Sequence, residues 1–372
     1  MVEQTQITKP YFSAEQQSAI SAGIANILKS GRLINGPYTQ ELEQQFAAQT
    51  GTRYAIAVNT CTTALHICLK YFGAEGADIL VPAASFTTDV SAVRWGGAKP
   101  ILVDIDPDTL SFDLSDLKRK ISKRTKGVIW LHLTGLIASN HEELLAFFRE
   151  HSLFVIEDCA HAQGARVGGK LVGSLADAGC FSFFATKLMT CGVGGMMTTN
   201  DAKLDSFARE IRFFGRNVER GEVASEGNDW LMDEFRACIA LAQLNGFDAM
   251  FARRQAVAER YRLALANQPG IKLLDAPDNS VHAYYQFAVL LRDRAMAAQV
   301  GKALNEKHGI QAKRIYLPVH QEKIFREYDV GGLEQAEDAM HRSLCLPMHA
   351  SLGDEEADRI GAALVAEVRS RL

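Results

Sequence analysis

The chain has 372 residues, 47% of them apolar and 23% charged, with a net charge of −4. That length exceeds what one hydrophobic core usually serves, so two domains are expected. The acidic balance and the lack of any basic cluster exclude a nucleic-acid binder, and no stretch approaches the roughly 18 apolar residues of a membrane span.

The cysteines, Cys61, Cys68, Cys159, Cys180, Cys191, Cys238 and Cys345, are odd in number and form no CxxC. They read as reduced core thiols of a cytoplasmic protein, not as a disulfide frame or a zinc site. Glu3, with no apolar run after it, speaks against a signal peptide.

Residues 13–30 predict a helix. Ser13 and Gln16 form a capping box, Ile20, Ile24, Ile27 and Leu28 share a face, and Gly31 is a natural stop. Gly36-Pro37 opens a second helix through Leu42 and Phe46. Short apolar runs then predict strands at residues 54–58, 78–81, 100–103, 127–133, 154–157 and 180–184, with one more after the glycine turn 192–195. Helical patterns separate them, among them residues 64–72, 113–121 and 141–150. This alternation predicts an α/β fold with a mainly parallel sheet covered on both faces. On such sheets ligands gather at the carboxyl ends of the strands. Residues 59–63, Phe86 and Asp158 all fall there.

Past residue 200 the pattern changes. Helices are expected at residues 202–214, 234–244 and 250–265, with a polar, irregular stretch at 215–227. A strand at 284–291, a helix at 294–308, a strand at 310–313 and a closing helix at 354–372 follow. The division is placed near Asp248, giving a large domain of residues 1–247 and a smaller α+β domain of residues 248–372.

Chemistry concentrates between residues 154 and 200. Asp158 sits where an apolar strand should end, and Lys187 lies between Phe183, Phe184, Leu188 and Met189. Apolar neighbours strip water from an ammonium, which should lower its pKa and free a nucleophilic amine. Singly, such a lysine is commonly a snorkelling surface residue and such an acid a cap. Together they are the two groups that a pyridoxal phosphate (PLP) site needs, one for the aldehyde and one for the ring nitrogen. The turn at 59–63 precedes a helix whose N-terminus suits a phosphate, with Thr62 and Thr63 adding hydroxyls. Phe86 is placed to stack on a flat ring. Ser182 alternates with Phe181 and Phe183, so it points to the other face of its strand. His132, His320 and His349 are open to a place in the cleft. No histidine pair with a carboxylate at helical spacing suggests a metal.

The motifs TCTTALHI (60–67), VPAASFTT (81–88), VIEDCAHAQGA (155–165), FSFFATKLMTCGVGG (181–195), NDWLMDEFRACIALAQL (228–244) and CLPMHASL (345–352) resemble those of the DegT/StrS sugar aminotransferases, within the fold-type-I PLP enzymes. The resemblance runs from near residue 30 to near residue 360, and the 29-residue spacing from Asp158 to Lys187 agrees with it. It implies a large domain with a seven-stranded sheet and a smaller C-terminal domain. It implies that Lys187 holds the cofactor and shuttles a proton, Asp158 pairs with the ring nitrogen, and Phe86 stacks on the ring. Cys61, Thr62 and Ser182 then serve the phosphate. His161, where the family commonly has Gln, serves the phenolic oxygen, with Gln163 sharing that task. It further implies a homodimer in which the segment 227–232 reaches the partner's site through Asn228 or Asp229.

The sequence departs from the family pattern at Cys61 (usually Gly), Val193 (usually Glu), Asp229 (usually Asn) and Leu231 (usually Arg). The expected activity is transfer of an amine, with L-glutamate as donor, to a nucleotide-linked keto-deoxysugar for polysaccharide, O-antigen or glycosylated-metabolite synthesis. The alternatives are a free keto sugar or cyclitol as acceptor, PLP-dependent dehydration, and a non-catalytic protein of this fold.

Overall fold

The computed structural model describes residues 4–217 and 221–372, so Glu3 and part of the polar stretch 215–227 lie outside the described residues. Its centre is a seven-stranded sheet of β1 (Tyr54–Val58), β2 (Asp78–Pro82), β3 (Lys99–Val103), β4 (Thr125–Leu131), β5 (Phe154–Asp158), β6 (Ala178–Ser182) and β7 (Gly195–Thr199). The order across the sheet is β1-β7-β6-β5-β4-β2-β3. Only β7 runs against its neighbours, returning beside β6 with Ser182 opposite Gly195 and flanking β1 with Val58 opposite Gly195. The glycine turn before it, with Gly192 at φ 88°, makes that reversal.

Alternation along each strand feeds two cores. Ile56, Val58, Ile79, Val81, Ile129, Leu131, Ile156, Cys180 and Met197 face one side, where α3 (Cys61–Tyr71), α4 (Thr87–Trp95) and α7 (Ala202–Ile211) pack. Ala55, Ala57, Phe181 and Met196, and Leu80, Val128, Trp130 and Val155, face the other. There the cover is α2 (Pro37–Thr50), α5 (Leu114–Lys120), α6 (His141–Glu150) and α8 (Glu234–Asn245). Burial on both faces is why these strands read as continuous apolar runs. The first helix, α1 (Ala14–Ser30), has the expected capping box of Ser13 and Gln16 and ends at Gly31 with φ 68°.

The chain then enters α9 (Phe247–Leu265) and a three-stranded antiparallel sheet of β8 (Ile271–Leu273), β9 (Phe287–Leu291) and β10 (Ser343–Leu346). The helices α10 (Arg294–Lys307) and α12 (Asp354–Arg369) share a core with α9 and this sheet. Between them lies α11 (Glu334–Arg342). The N-terminal segment joins this unit rather than the large sheet. Thr5 N–H donates to Gly309 O at 2.8 Å, Gln311 N–H to Thr5 O at 3.0 Å and Met348 N–H to Ile7 O at 3.0 Å.

Several expected bounds move. The helix expected from residue 64 begins at Cys61, because Thr60 is its N-cap. The run 180–184 is a strand only to Ser182, and 127–133 only to Leu131, since apolarity records burial and not extension. The helix expected to residue 214 stops at Ile211. The strand expected from Tyr284 starts at Phe287, because Tyr284 has φ 48°. Residues 310–313 form no strand; Ile310 and Lys313 make single bridges to Thr5 and Cys345. Within 215–227, Arg216–Asn217 pairs with Glu222–Val223. All seven cysteines are buried and unbridged.

Candidate active site

The carboxyl ends of β1, β2, β4, β5 and β6 open onto one cavity of about 440 Å³. Into it the large sheet and its loops bring Cys61, Thr62, Phe86, Asp158, His161, Ser182 and Lys187. Seven of the nine predicted site residues therefore converge. The opposite wall is Ile7 and Thr8 from the N-terminal segment, with Tyr285, Gln286, Lys313, Tyr316 and Met348 from the small unit.

Each position has a local cause. Thr60 caps α3 by accepting the Thr63 N–H at 3.0 Å. This leaves the N–H groups of Cys61 and Thr62 without an intrahelical acceptor at a positive helix end. Gly195 allows the close approach, since a Cβ there would lie 2.4 Å from the Thr60 carbonyl carbon and 2.5 Å from the Cys61 nitrogen. Strand alternation sends Glu157 and Asp158 to opposite faces. Glu157 takes the N–H groups of Gly173, Leu175 and Ala176 behind the sheet. Asp158, 3% exposed, faces the cleft and accepts the Ala160 N–H at 2.8 Å and the Cys61 S–H at 3.8 Å. Phe86 is 43% exposed, 5.2 Å from the Tyr316 ring, so it is a cleft wall and not a core residue.

Lys187 is half-buried, with its ammonium 4.3 Å from the centre of the Tyr285 ring. The apolar neighbours that were expected to enclose it do so only in part. Phe183, Leu188 and Met189 point into the core behind the sheet, and Phe184 is exposed. The Tyr285 face is the aromatic surface that meets the ammonium instead. His161 stacks on the same tyrosine, 4.2 Å between ring centres. Its Nδ1 accepts the Thr134 N–H at 3.3 Å, which assigns the proton to Nε2, donated to the Tyr316 hydroxyl at 3.0 Å. Burial, reinforced by the Lys187 charge, holds this imidazole well below the usual histidine range, so it is neutral. Burial first, and then the neighbouring carboxyl groups of Asp158 and Asp89, push the Cys61 thiol well above its usual range.

These residues fit PLP. A buried carboxylate, an amine on the same cleft and a helix N-terminus held close by a glycine match the ring nitrogen, aldehyde and phosphate. Two predicted residues lie elsewhere. Gln163 is behind the sheet, where its Oε1 accepts the Met189 N–H at 3.1 Å beside Phe46 and Phe181. Successive turns, Ala162 N–H to Cys159 O and Ala165 N–H to Ala162 O, separate it from His161. Asn228 lines a different surface groove with His66, Lys70 and Trp95. Thr63 is not a cleft hydroxyl either; its Oγ1 donates to Asn59 Oδ1 at 2.6 Å.

The three open histidines are also elsewhere. His132 meets Glu157, His320 meets Glu337 and His349 meets Ser351. His132, Glu157 and Cys159 do form a buried group with ligand-type atoms within 4.8 Å of one another. The Glu157 oxygens there already accept three backbone N–H groups. Sequence reasoning missed Tyr285, Tyr316 and Lys313, which sit on irregular segments without a motif, and Asp89, an acid hidden in a helix that was not foreseen.

A model of the DegT/DnrJ/EryC1/StrS aminotransferase family matches residues 14–365. The chain is 35% identical over 339 residues to the GDP-perosamine synthase of Caulobacter vibrioides, covering 88% of this chain and 90% of that one. It is 31% identical over 355 residues to the spore coat polysaccharide biosynthesis protein SpsC of Bacillus subtilis, covering 91% of each. Among solved structures, the aminotransferase TlmJ from Streptoalloteichus hindustanus matches with a TM-score of 0.90 at 27% identity over 99% of both chains.

Proposed function

We propose that this chain, which belongs to the DegT/DnrJ/EryC1/StrS aminotransferase family, moves the amine of L-glutamate onto a nucleotide-linked keto-deoxysugar destined for a polysaccharide or glycosylated metabolite. It is a PLP-dependent aminotransferase. The observation that carries the reading is the convergence of Lys187 and Asp158 on one cleft whose floor is the N-terminus of α3. When bound, PLP supplies an aldehyde that takes up the amine and a ring that draws off electrons.

The residues of the chain then divide the work. The Asp158 carboxylate holds the proton of the ring nitrogen. Cys61 and Thr62 N–H groups, with the Thr62 and Ser182 hydroxyls, hold the phosphate. Phe86 covers the ring. Neutral His161, fixed by Thr134 and Tyr316, offers its ring to the phenolic oxygen side. The Lys187 amine would carry a proton from the reacting carbon of the donor to the cofactor, and in the second half-reaction a proton from the cofactor to the reacting carbon of the acceptor.

The acceptor reading rests on the relative named GDP-perosamine synthase and on the outer wall of the cleft. Lys313 is exposed there and has no carboxylate partner among the described residues, which suits a diphosphate or an acidic donor. We also read the protein as a cytoplasmic homodimer, with the domain division at the start of α9. No helix among the described residues is long and apolar enough to cross a membrane. For the dimer, the support is that Asn228 and Asp229 are exposed on an outer edge of the large sheet. The Asn59 N–H donates to Trp230 O at 2.9 Å and Leu231 bridges Val58, so the segment is anchored there with its polar tip outward.

The test is a panel of nucleotide-linked and free keto sugars incubated with glutamate and read by mass spectrometry. Amination of a nucleotide-linked sugar, with one 2-oxoglutarate released per turnover, is expected. Amination of free keto sugars alone would overturn the acceptor assignment. Borohydride reduction of the holoenzyme and peptide mapping should mark Lys187; a label on another lysine would remove it from the site.

A further inference from the structure

Asp89 lies in the first turn of α4, on the sheet face that carries Asp158, and is 0% exposed. An ionised carboxylate without water needs a cation or several donors. Among the described residues Asp89 has one side-chain donor, the Ser85 hydroxyl, on Oδ2. Its Oδ1 receives no N–H or hydroxyl donor. The group that acts on it most strongly is the carboxyl of Asp158, near enough to influence it as a hydrogen-bonding neighbour. Among the described residues the groups facing it are therefore Ser85, Asp158, Cys61 and, as the one cation, Lys187.

Two neighbouring carboxyl groups, both buried and one with an oxygen that receives no donor, are better satisfied by sharing one proton than by bearing two charges, because an ionised carboxylate has nothing to donate. The donors decide where the charge rests. Asp158 accepts the Ala160 N–H and the Cys61 S–H, whereas Asp89 accepts only Ser85. Hydrogen bonds to the charged form favour it, so the charge belongs on Asp158 and the proton on Asp89. The same conclusion follows from the electrostatics of Asp89. Burial first, and then the charge of Asp158 and the bond to it, hold its carboxyl well above the usual range, while Ser85 and Lys187 act against this.

We propose that Asp89 is a positioning residue, a neutral carboxylic acid that donates a hydrogen bond to Asp158 from behind and holds it as the single negative charge facing the cofactor's ring nitrogen. Were both acids ionised, two negative charges would lie behind one ring proton. With Asp89 neutral the cofactor meets one, and the Asp158 carboxylate cannot rotate away from the cleft without losing a donor. The role of Asp89 toward the cofactor rests on the reading of Asp158 given above; the shared proton itself does not.

The experiment separates the two. In the cofactor-free protein at neutral pH, infrared difference spectra between wild type and Asp89→Asn should show the carbonyl stretch of one protonated carboxylic acid, present in wild type and lost in the variant. Absence of that band overturns the proposal. In the holoenzyme, the ring nitrogen of ¹⁵N-labelled PLP reports its protonation. Asp89→Asn, which keeps a neutral donor, should leave that signal and turnover near wild type. Asp89→Ala should shift the pH dependence of the ring-nitrogen signal and lower turnover by about tenfold to a hundredfold, the value of one hydrogen bond to a charged group. An Asp89→Ala enzyme with wild-type ring-nitrogen titration overturns the positioning role. If instead Asp158→Asn leaves the ring nitrogen unmoved while the acid band behaves as expected, the reading of Asp158 fails and the acid pair stands.

Proton linkage gives a further readout on the same variants. A folded pKa raised above the unfolded value, about 3.9 for Asp, gives stability that is full below that value and is lost as pH rises through the folded pKa. Asp89→Asn should therefore flatten the loss of stability of the cofactor-free protein toward alkaline pH; an unchanged slope counts against a buried neutral acid.

Discussion

At Asp158 the chemistry reduces to one charge in a shielded place. On the proposed function it pairs with a ring proton, and at about 4 Å such a pairing would be worth about 4 kcal/mol at an effective dielectric near 20. Asp158→Asn should accordingly retain some cofactor and lose on the order of a thousandfold in turnover; near-normal single-turnover rates would mean another group protonates the ring. The histidines give a pH prediction of definite sign. Burial lowers His161, takes His282 to about 3 and, with the charge of Arg254, takes His349 to about 4. A folded pKa below the unfolded value of about 6.5 gives stability that is present above that value and lost as pH falls. Thermal unfolding of the cofactor-free protein should thus be insensitive to these groups above neutrality and fall progressively on acidification. His282→Gln, which can still accept the Tyr284 N–H, should make that fall shallower. The two ionisable residues on which the proposed function rests could be picked out because they sit in motifs, Asp158 in VIEDCAHAQGA and Lys187 in FSFFATKLMTCGVGG. Gln163 was misplaced because residue spacing does not reveal the turns between it and His161.

Elements were legible wherever one periodicity ran unbroken. His141–Glu150 is a helix at its expected bounds, and Tyr54–Val58 a strand at its own. Failures fall where apolar pattern and backbone geometry diverge. Phe183 and Phe184 continue an apolar run past the end of β6, and Tyr284 adopts a left-handed conformation just before β9. The helix α4 was not foreseen because Thr87, Thr88 and Ser91 give it a polar, low-propensity start, and it is the helix that carries Asp89. The junction of α3 with β7 gives a test at this scale. Gly195→Ala would set a methyl group 2.4–2.6 Å from the backbone of Thr60 and Cys61, and backbone cannot swing aside as a side chain can. The N-terminus of α3 should shift while the sheet persists. PLP affinity should weaken by about tenfold, the value of one charge-assisted hydrogen bond, with little change in far-ultraviolet circular dichroism. Unchanged affinity, measured by equilibrium dialysis, would show that this approach does not serve the phosphate.

For the whole molecule, the sequence indicated two units but not how the first residues are used, since nothing in residues 4–8 marks them as a wall of the cleft. The expected sharing of sites between subunits is tested by mixing. If Asn228 serves the partner, Asn228→Ala weakens cofactor retention. After random exchange with Lys187→Ala, up to about a quarter of the sites should then be restored, because one site of each heterodimer receives neither lesion. Proven exchange without regained activity would place Asn228 in its own subunit's site or outside the site altogether. The N-terminal strap has a consequence in time as well as in space. The strands of the large sheet are all synthesised by Thr199, but Thr5 and Ile7 find their partners in Gly309, Gln311 and Met348. At roughly 5–20 residues per second, translation needs on the order of ten seconds more to deliver them. Throughout that interval the nascent chain holds Asp158 and Lys187 but not the whole of the opposite wall. Cofactor capture in a closed cleft therefore belongs to the chain only after residue 348 has left the ribosome.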